Sequence, residues 1–409
     1  MWLRRPSRWS SLAILGLVPA CNAPEKVSQA TWAEGAPWRA HTVDARGVGA
    51  DGVRLADLDR DGRLDLIVPW EESGEVRAYR NPGPEAARSP WPAVLLGKVP
   101  AAEDALAFDL EGDGVLDVVS ATEGRSRTIF AHRRVEPGGD PWFEAGWETV
   151  AFQATRDSGS WLVLAAGDFD GENGVDLVLG GKNGGSLAIL AAPLDRVRLE
   201  AWELRTVRAA GWLMSLEPVD LSGDGLDDLL VSDREGAGRG VFWLERSPAR
   251  SGTESWAEHR LANAATALFF LDYRGFDDSR VAKGTVVVAR GDGTILLLEI
   301  DRGRTVRSES IRLPRGLGRP KAVRFADLDG DGTDDLALSC EDATNPRVGV
   351  AWLRFGSDGW RVFDVSGPRG TKFDRLEPID IDADGDLDLL TTEETRLGVV
   401  WYENEAANP

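Results

Sequence analysis

The chain has 409 residues, 28% charged and 42% hydrophobic, a balance that excludes both a disordered tail and a bundle of membrane helices. Asp and Glu outnumber Lys and Arg 68 to 47, for a net charge of −21, and a surface this acidic repels nucleic-acid phosphates. Three His and two Cys cannot build a Cys/His zinc framework or a disulfide scaffold.

Arg4, Arg5 and Arg8 precede a short apolar run, Leu12–Val18, which ends at Val18-Pro19-Ala20-Cys21. The run is too short to span a bilayer and has the layout of an export signal. Its end resembles the lipobox of bacterial lipoproteins. That resemblance implies cleavage before Cys21, lipidation of its thiol and a periplasmic or cell-surface location, with plain secretion as the alternative. Residues 22–36 are expected to form a linker, and 37–409 a single repeat array.

The array is announced by a nine-residue loop with acidic side chains at positions 1, 3, 5 and 9. Its copies are Asp57, Asp59, Asp61 and Asp65; Asp109, Glu111, Asp113 and Asp117; and Asp168, Asp170, Glu172 and Asp176. They continue with Asp220, Ser222, Asp224 and Asp228; Asp327, Asp329, Asp331 and Asp335; and Asp380, Asp382, Asp384 and Asp388. Between the fourth and the fifth of these stands a decayed copy that starts at Asp272 and has Arg274 and Arg280 at positions 3 and 9. First positions recur every 52 to 59 residues, too regularly for chance.

Around each loop lie β-rich runs: one before it (Val323-Arg-Phe-Ala), one after it (Leu336-Ala-Leu), a third with a central Trp (Trp243, Trp352, Trp401) and a fourth near another Trp. Four short strands cannot bury both faces of their sheet, so the units must stack. Seven such units set radially make an all-β fold, a seven-bladed β-propeller with four-stranded antiparallel blades. The last unit stops after its third strand. Trp38–Val43 reads as a fourth strand and is expected to complete that blade. Repetition of the Trp residues and of His41 and His259 points to packing, and His132 accompanies no nucleophile motif.

These repeats resemble the FG-GAP/VCBS family of calcium-binding propeller repeats, the type found in integrin α-subunit heads. The resemblance covers residues 37–409 and implies calcium in the loops. Loop chemistry agrees: calcium takes six to eight oxygen ligands, alternate side chains curl around one point, and Gly at position 6 permits the turn. Position 12 lacks the Glu of an EF-hand. About six structural ions are expected, which would neutralise crowded carboxylates that otherwise repel one another. The Ser222 loop should be the weakest site. The decayed loop should hold none, with a guanidinium paired to Asp272 instead.

Loops on the face opposite the Asp loops are the expected ligand site. They offer Trp70, Glu71, Glu123, Lys182, Asp233, Arg234, Glu341 and Glu393, and the loops entering the first strands add Asp51, Asp104, Trp161, Trp212, Lys321 and Asp374. Aromatics beside carboxylates and amides suit a carbohydrate, or a protein. No catalytic motif stands out, so the expected role is a monomeric, non-enzymatic binding or scaffold module that meets a membrane only through its lipid. A carbohydrate-active lyase or dehydratase, which the Trp-x-x-His and Trp-Tyr-Glu-Asn phrases also resemble, is the alternative.

Overall fold

Six of the seven second strands start on an Asp and run on as an apolar stretch, and in Asp65–Trp70 and Asp176–Gly181 every residue is buried. Such a strand needs cover on both faces, and alternation divides its side chains between two neighbours. Leu177 and Leu179 pack with Val119, Ala121 and Phe152 of the preceding unit. Val178, between them, packs with Leu216, Leu229 and Phe242 of the following unit. The core of the molecule is this series of layers between sheets.

The computed structural model describes residues 25–247, 255–275 and 283–405. It is a seven-bladed β-propeller. Blade 1 runs Arg54–Ala56, Asp65–Trp70, Glu75–Tyr79 and Ala93–Lys98 from first to fourth strand, and all its pairings are antiparallel. The following blades repeat that order, and their first strands touch one another around the axis. Arg39–Asp44 pairs antiparallel with Gly398–Glu403 and supplies the fourth strand of blade 7, so both ends of the chain close the ring in one sheet. The helices among the described residues are three 3-10 turns of three residues each. None is long and apolar enough to cross a membrane. The segment expected to be an export signal, Cys21 and Arg280 lie outside the described residues.

Two expectations need correction. Residues 22–36 were expected to be a linker, yet Lys26–Gln29 and Thr31–Trp32 are strands. They pair in parallel with Arg304–Arg312 of blade 5 and Gly359–Asp364 of blade 6. The exposed edges of two fourth strands offer unpaired backbone groups, and this segment satisfies them. Among the described residues, the guanidinium against Asp272 comes not from its own loop but from Arg324 of the next blade, 3.7 Å away, while Arg274 pairs with Asp334 at 2.5 Å. Asp272 accepts the backbone N–H of Phe325 at 2.8 Å.

The repeated rings do pack as expected. Trp401 stacks on His41, Trp243 on His259 and Trp352 on Phe363, in each case a third-strand ring against a fourth-strand ring. The Trp243 indole N–H reaches the next blade, donating to the Gly303 carbonyl at 2.8 Å. Gly303 has φ +64°, and a Cβ there would lie 2.4 Å from that indole, so both backbone and space require glycine.

His132 is fully buried, bonded to Ser120 Oγ at 2.9 Å and Thr149 Oγ1 at 3.0 Å. Burial lowers its pKa to about 4. In the unfolded chain it would protonate near pH ~6.5, so its contribution is complete above that pH and is lost as pH falls toward 4. The stability gap between wild type and His132→Gln should therefore narrow between pH 7 and pH 5, by up to ~2 kcal/mol. Parallel urea-unfolding curves across that range would reject a neutral buried imidazole.

Candidate metal loops and a polar basin

Each Asp loop joins the first and second strands of its blade at one rim. The first carboxylate shapes it: Asp57 accepts the backbone N–H groups of Asp61 and Gly62, both at 3.0 Å. Asp109, Asp220, Asp327 and Asp380 do the same for positions 5 and 6 of their loops. Position 6 is left-handed throughout, with φ +85° at Gly62 and +59° at Asn173, which asparagine tolerates.

The carboxylate at position 9 braces the backbone. Asp65 Oδ2 accepts from Leu58 N at 3.0 Å, and Asp65 Oδ1 from Asn81 N at 2.9 Å. Asp176, Asp228 and Asp388 make equivalent bonds on both sides. Burial, and secondarily neighbouring carboxylates of the same loop, raise Asp65 to about 6 and Asp117, Asp335 and Asp388 to about 7.

Position 3 carries a pattern that the repeat spacing does not reveal. Asp59 meets Arg80 at 2.9 Å, Glu111 meets Arg133 at 3.1 Å, Asp170 meets Arg205 at 3.1 Å and Asp329 meets Arg354 at 2.5 Å. Asp382 is paired with Arg88. Ser222, the one uncharged residue at this position, donates to Asp220 at 3.3 Å. Despite these partners, Asp59 Oδ1 and Asp382 Oδ1 are buried with no hydrogen bond. Carboxylate oxygens converge to within 4.8 Å in Asp57/Asp59/Asp61, Asp168/Asp170/Asp176 and Asp327/Asp329/Asp335. Convergent oxygen donors with unsatisfied lone pairs fit a hard divalent cation.

On the opposite face the loops surround a cavity of about 230 Å³. Of the residues expected there, Glu71, Lys182, Trp212, Arg234 and Glu341 line it, with Asp51, Lys321 and Asp374. Glu123 stands beside it, 2.5 Å from Lys182 Nζ. Five others do not line it. Asp104 is buried against Arg54. Trp70 is buried and donates to Tyr79 Oη at 3.0 Å. Trp161 is packed between blades 2 and 3. Asp233 and Glu393, at the ends of second strands, are consumed as braces. Asp233 accepts the N–H groups of Gly211 and Trp212, and Glu393 those of Thr371, Lys372, Arg396 and Leu397.

Sequence reasoning missed Glu103, Met214, Phe270, Lys372 and Arg375, which also line the cavity, and Glu394 beside it. The available signal was a charged residue inside an apolar first strand, as in Ala102-Glu-Asp-Ala-Leu and Phe373-Asp-Arg-Leu. Lys321 Nζ bonds Glu394 at 3.1 Å and contacts Asp374. Lys182 Nζ bonds Glu103 at 2.9 Å. Burial would raise Asp374, but Lys321 and a hydrogen bond from Asp51 hold it at about 2. Burial, and then the neighbouring carboxylates of Asp374, Glu103 and Glu394, push Asp51 well up. Burial raises Glu103 to about 8 in spite of Lys182. Carboxylates of Asp51, Asp374 and Glu394 also converge, but the Lys321 ammonium already sits against two of them. The Trp212 ring is flanked by Arg234 at 4.6 Å and Lys182 at 5.2 Å.

Comparison with protein families matches an FG-GAP-like repeat over residues 57–120. No curated protein matches the chain. Among solved structures, it is similar to a chain in the crystal structure of BBS1N in complex with ARL6DN, soaked with mercury. That match has 12% identity, covers 91% of this chain and 97% of the other, and has a TM-score of 0.52. The lead-soaked crystal of the same complex gives 12% identity, the same coverage and a TM-score of 0.51. At that identity the similarity concerns the fold alone. The chain is a seven-bladed β-propeller that carries an FG-GAP-like repeat over residues 57–120.

Proposed function

We propose that this propeller is a calcium-stabilised binding module, exported and held at a bacterial membrane through a lipid on Cys21, with a carbohydrate or protein ligand at the polar basin. The observation that carries the ligand reading is the basin itself, where ammonium, guanidinium, carboxyl and aromatic groups meet in one concavity opposite the Asp loops. Such a wall can donate to and accept from a hydroxyl-rich or charged surface. In the loops, the carboxylates at positions 1, 3 and 5 and the position-9 brace would hold calcium, and the ion would supply the positive charge that lets these groups stay ionised together.

The ligand reading is tested on the purified protein with a glycan array, and with a membrane-protein pull-down for the protein alternative. Trp212→Ala removes the ring that Lys182 and Arg234 flank. It should weaken binding by about tenfold or more while leaving the melting temperature nearly unchanged. Full binding by that variant would move the ligand away from the basin.

A further inference from the structure

The outer edge of blade 5 reverses the charge balance of the molecule. Its fourth strand and flanks, residues 301–315, carry five Arg against two Asp and Glu, in a chain whose net charge is −21. Arg302, Arg304, Arg312 and Arg315 are exposed and have no ion-pair partner among the described residues. They lie along or beside the fourth strand, Arg304–Arg312, which makes a strip ~30 Å long. Apolar side chains stand out of the same edge: Val27 is 65% exposed, Val306 50%, and Phe355 of the adjoining blade 59%. Lys26 spans the two blades, pairing with Glu309 at 2.9 Å and lying 5.8 Å from the Phe355 ring centroid.

The path of the chain leads to the same place. The first described residues, Glu25 and Lys26, lie on this edge, where Glu25 pairs with Arg290 and Lys26 with Glu309. Cys21 is four residues before Glu25, and four residues reach at most ~14 Å.

We infer that the outer edge of blade 5 docks on an anionic phospholipid surface, so that the propeller stands edge-on to the bilayer with the basin and the Asp loops both facing sideways. Basic side chains beside an anionic bilayer each add ~1 kcal/mol of attraction, and exposed apolar groups among them enter the headgroup region. The closeness to a lipid on Cys21 rests on the anchor reading. The charge and apolar pattern of the edge does not.

The test separates the two. The full chain carrying Cys21→Ala, which has no site for the lipid, is floated with vesicles of phosphatidylcholine alone and with phosphatidylglycerol added. It should bind the anionic vesicles. Arg302→Glu, Arg304→Glu and Arg312→Glu combined in that chain should reduce binding at least tenfold with an unchanged melting temperature, and so should 0.5 M salt. Failure to bind anionic vesicles, equal binding to neutral ones, or undiminished binding by the charge-reversed chain would overturn the inference. Separately, failure of the wild-type chain to take up labelled fatty acid would remove the anchor while the Cys21→Ala flotation still decides the edge.

Discussion

Asp104→Ala should lower the free energy of unfolding by about 3–5 kcal/mol, the largest single-residue effect expected in this molecule. Asp104 is buried at the axis, where first strands meet. It accepts from Arg54 Nη2 at 2.8 Å, Arg54 Nε at 3.1 Å and the Leu164 backbone N–H at 2.9 Å, with Arg375 Nη2 3.7 Å away. Burial alone would raise its pKa, but Arg54 and Arg375 hold the carboxyl below its ordinary range. The charges belong to a ring that continues through Arg324, which lies 3.1 Å from Glu377 and 3.7 Å from Asp272. Removing Asp104 leaves two guanidiniums out of water beside each other, and burial with Arg54 nearby already depresses Arg375. Replacing Arg54 and Asp104 together by leucine should cost less than Asp104→Ala alone, because the pair's desolvation penalty disappears with its attraction. Arg307→Ala, whose partner Glu299 is half exposed, should stay within ~1 kcal/mol. Urea midpoints at constant m-value decide the matter. An Asp104→Ala loss no greater than that of Arg307→Ala would mean that water or a shifted backbone compensates the axis.

Calcium removal should have the largest effect of any change of conditions. At a dissociation constant of about 10⁻⁴ M, within reach of extracellular modules, about 1 mM calcium contributes ~1.4 kcal/mol per site, or roughly 8 kcal/mol over six sites. With an unfolding entropy of about 2.1 cal/mol/K per residue over roughly 370 residues, that corresponds to a fall in Tm of roughly 10 °C in chelator. Metal analysis should return about six ions per chain. Asp59→Asn should remove about one of them, since Asp59 Oδ1 is buried without a partner, although Arg80 remains against the other oxygen. The Ser222 loop should lose its ion first in a calcium titration. A melt indifferent to chelator, together with no bound metal, would show that the arginines at position 3 and the backbone braces at position 9 hold these loops unaided.

The repeat period, the strand runs and the ring closure were legible in the sequence because each rests on local pattern: alternating burial, glycine at a left-handed turn, and an aspartate that caps its own loop. Glu71, Lys182, Trp212, Arg234 and Glu341 were legible as loop residues on one face. Trp70 and Trp161, Asp233 and Glu393 were misplaced because an aromatic or acidic side chain at the same loop position can turn inward, and burial or a backbone N–H then claims it. Lys26–Trp32 reads as a linker in the sequence because its partners, the edges of blades 5 and 6, lie about 280 to 330 residues away in the chain.

By itself, the order of residues determined a radial wheel of seven four-stranded sheets with acidic loops on one rim, since those features repeat and each copy reinforces the others. Only the tertiary structure decided which charges are spent on one another. Arg54 meets Asp104, Lys321 meets Glu394, and Arg80 meets Asp59, because closing the ring brings together side chains from different strands or blades. Electrostatic partnership depends on distance in space and on exclusion of water, and neither is written in the local pattern of a strand.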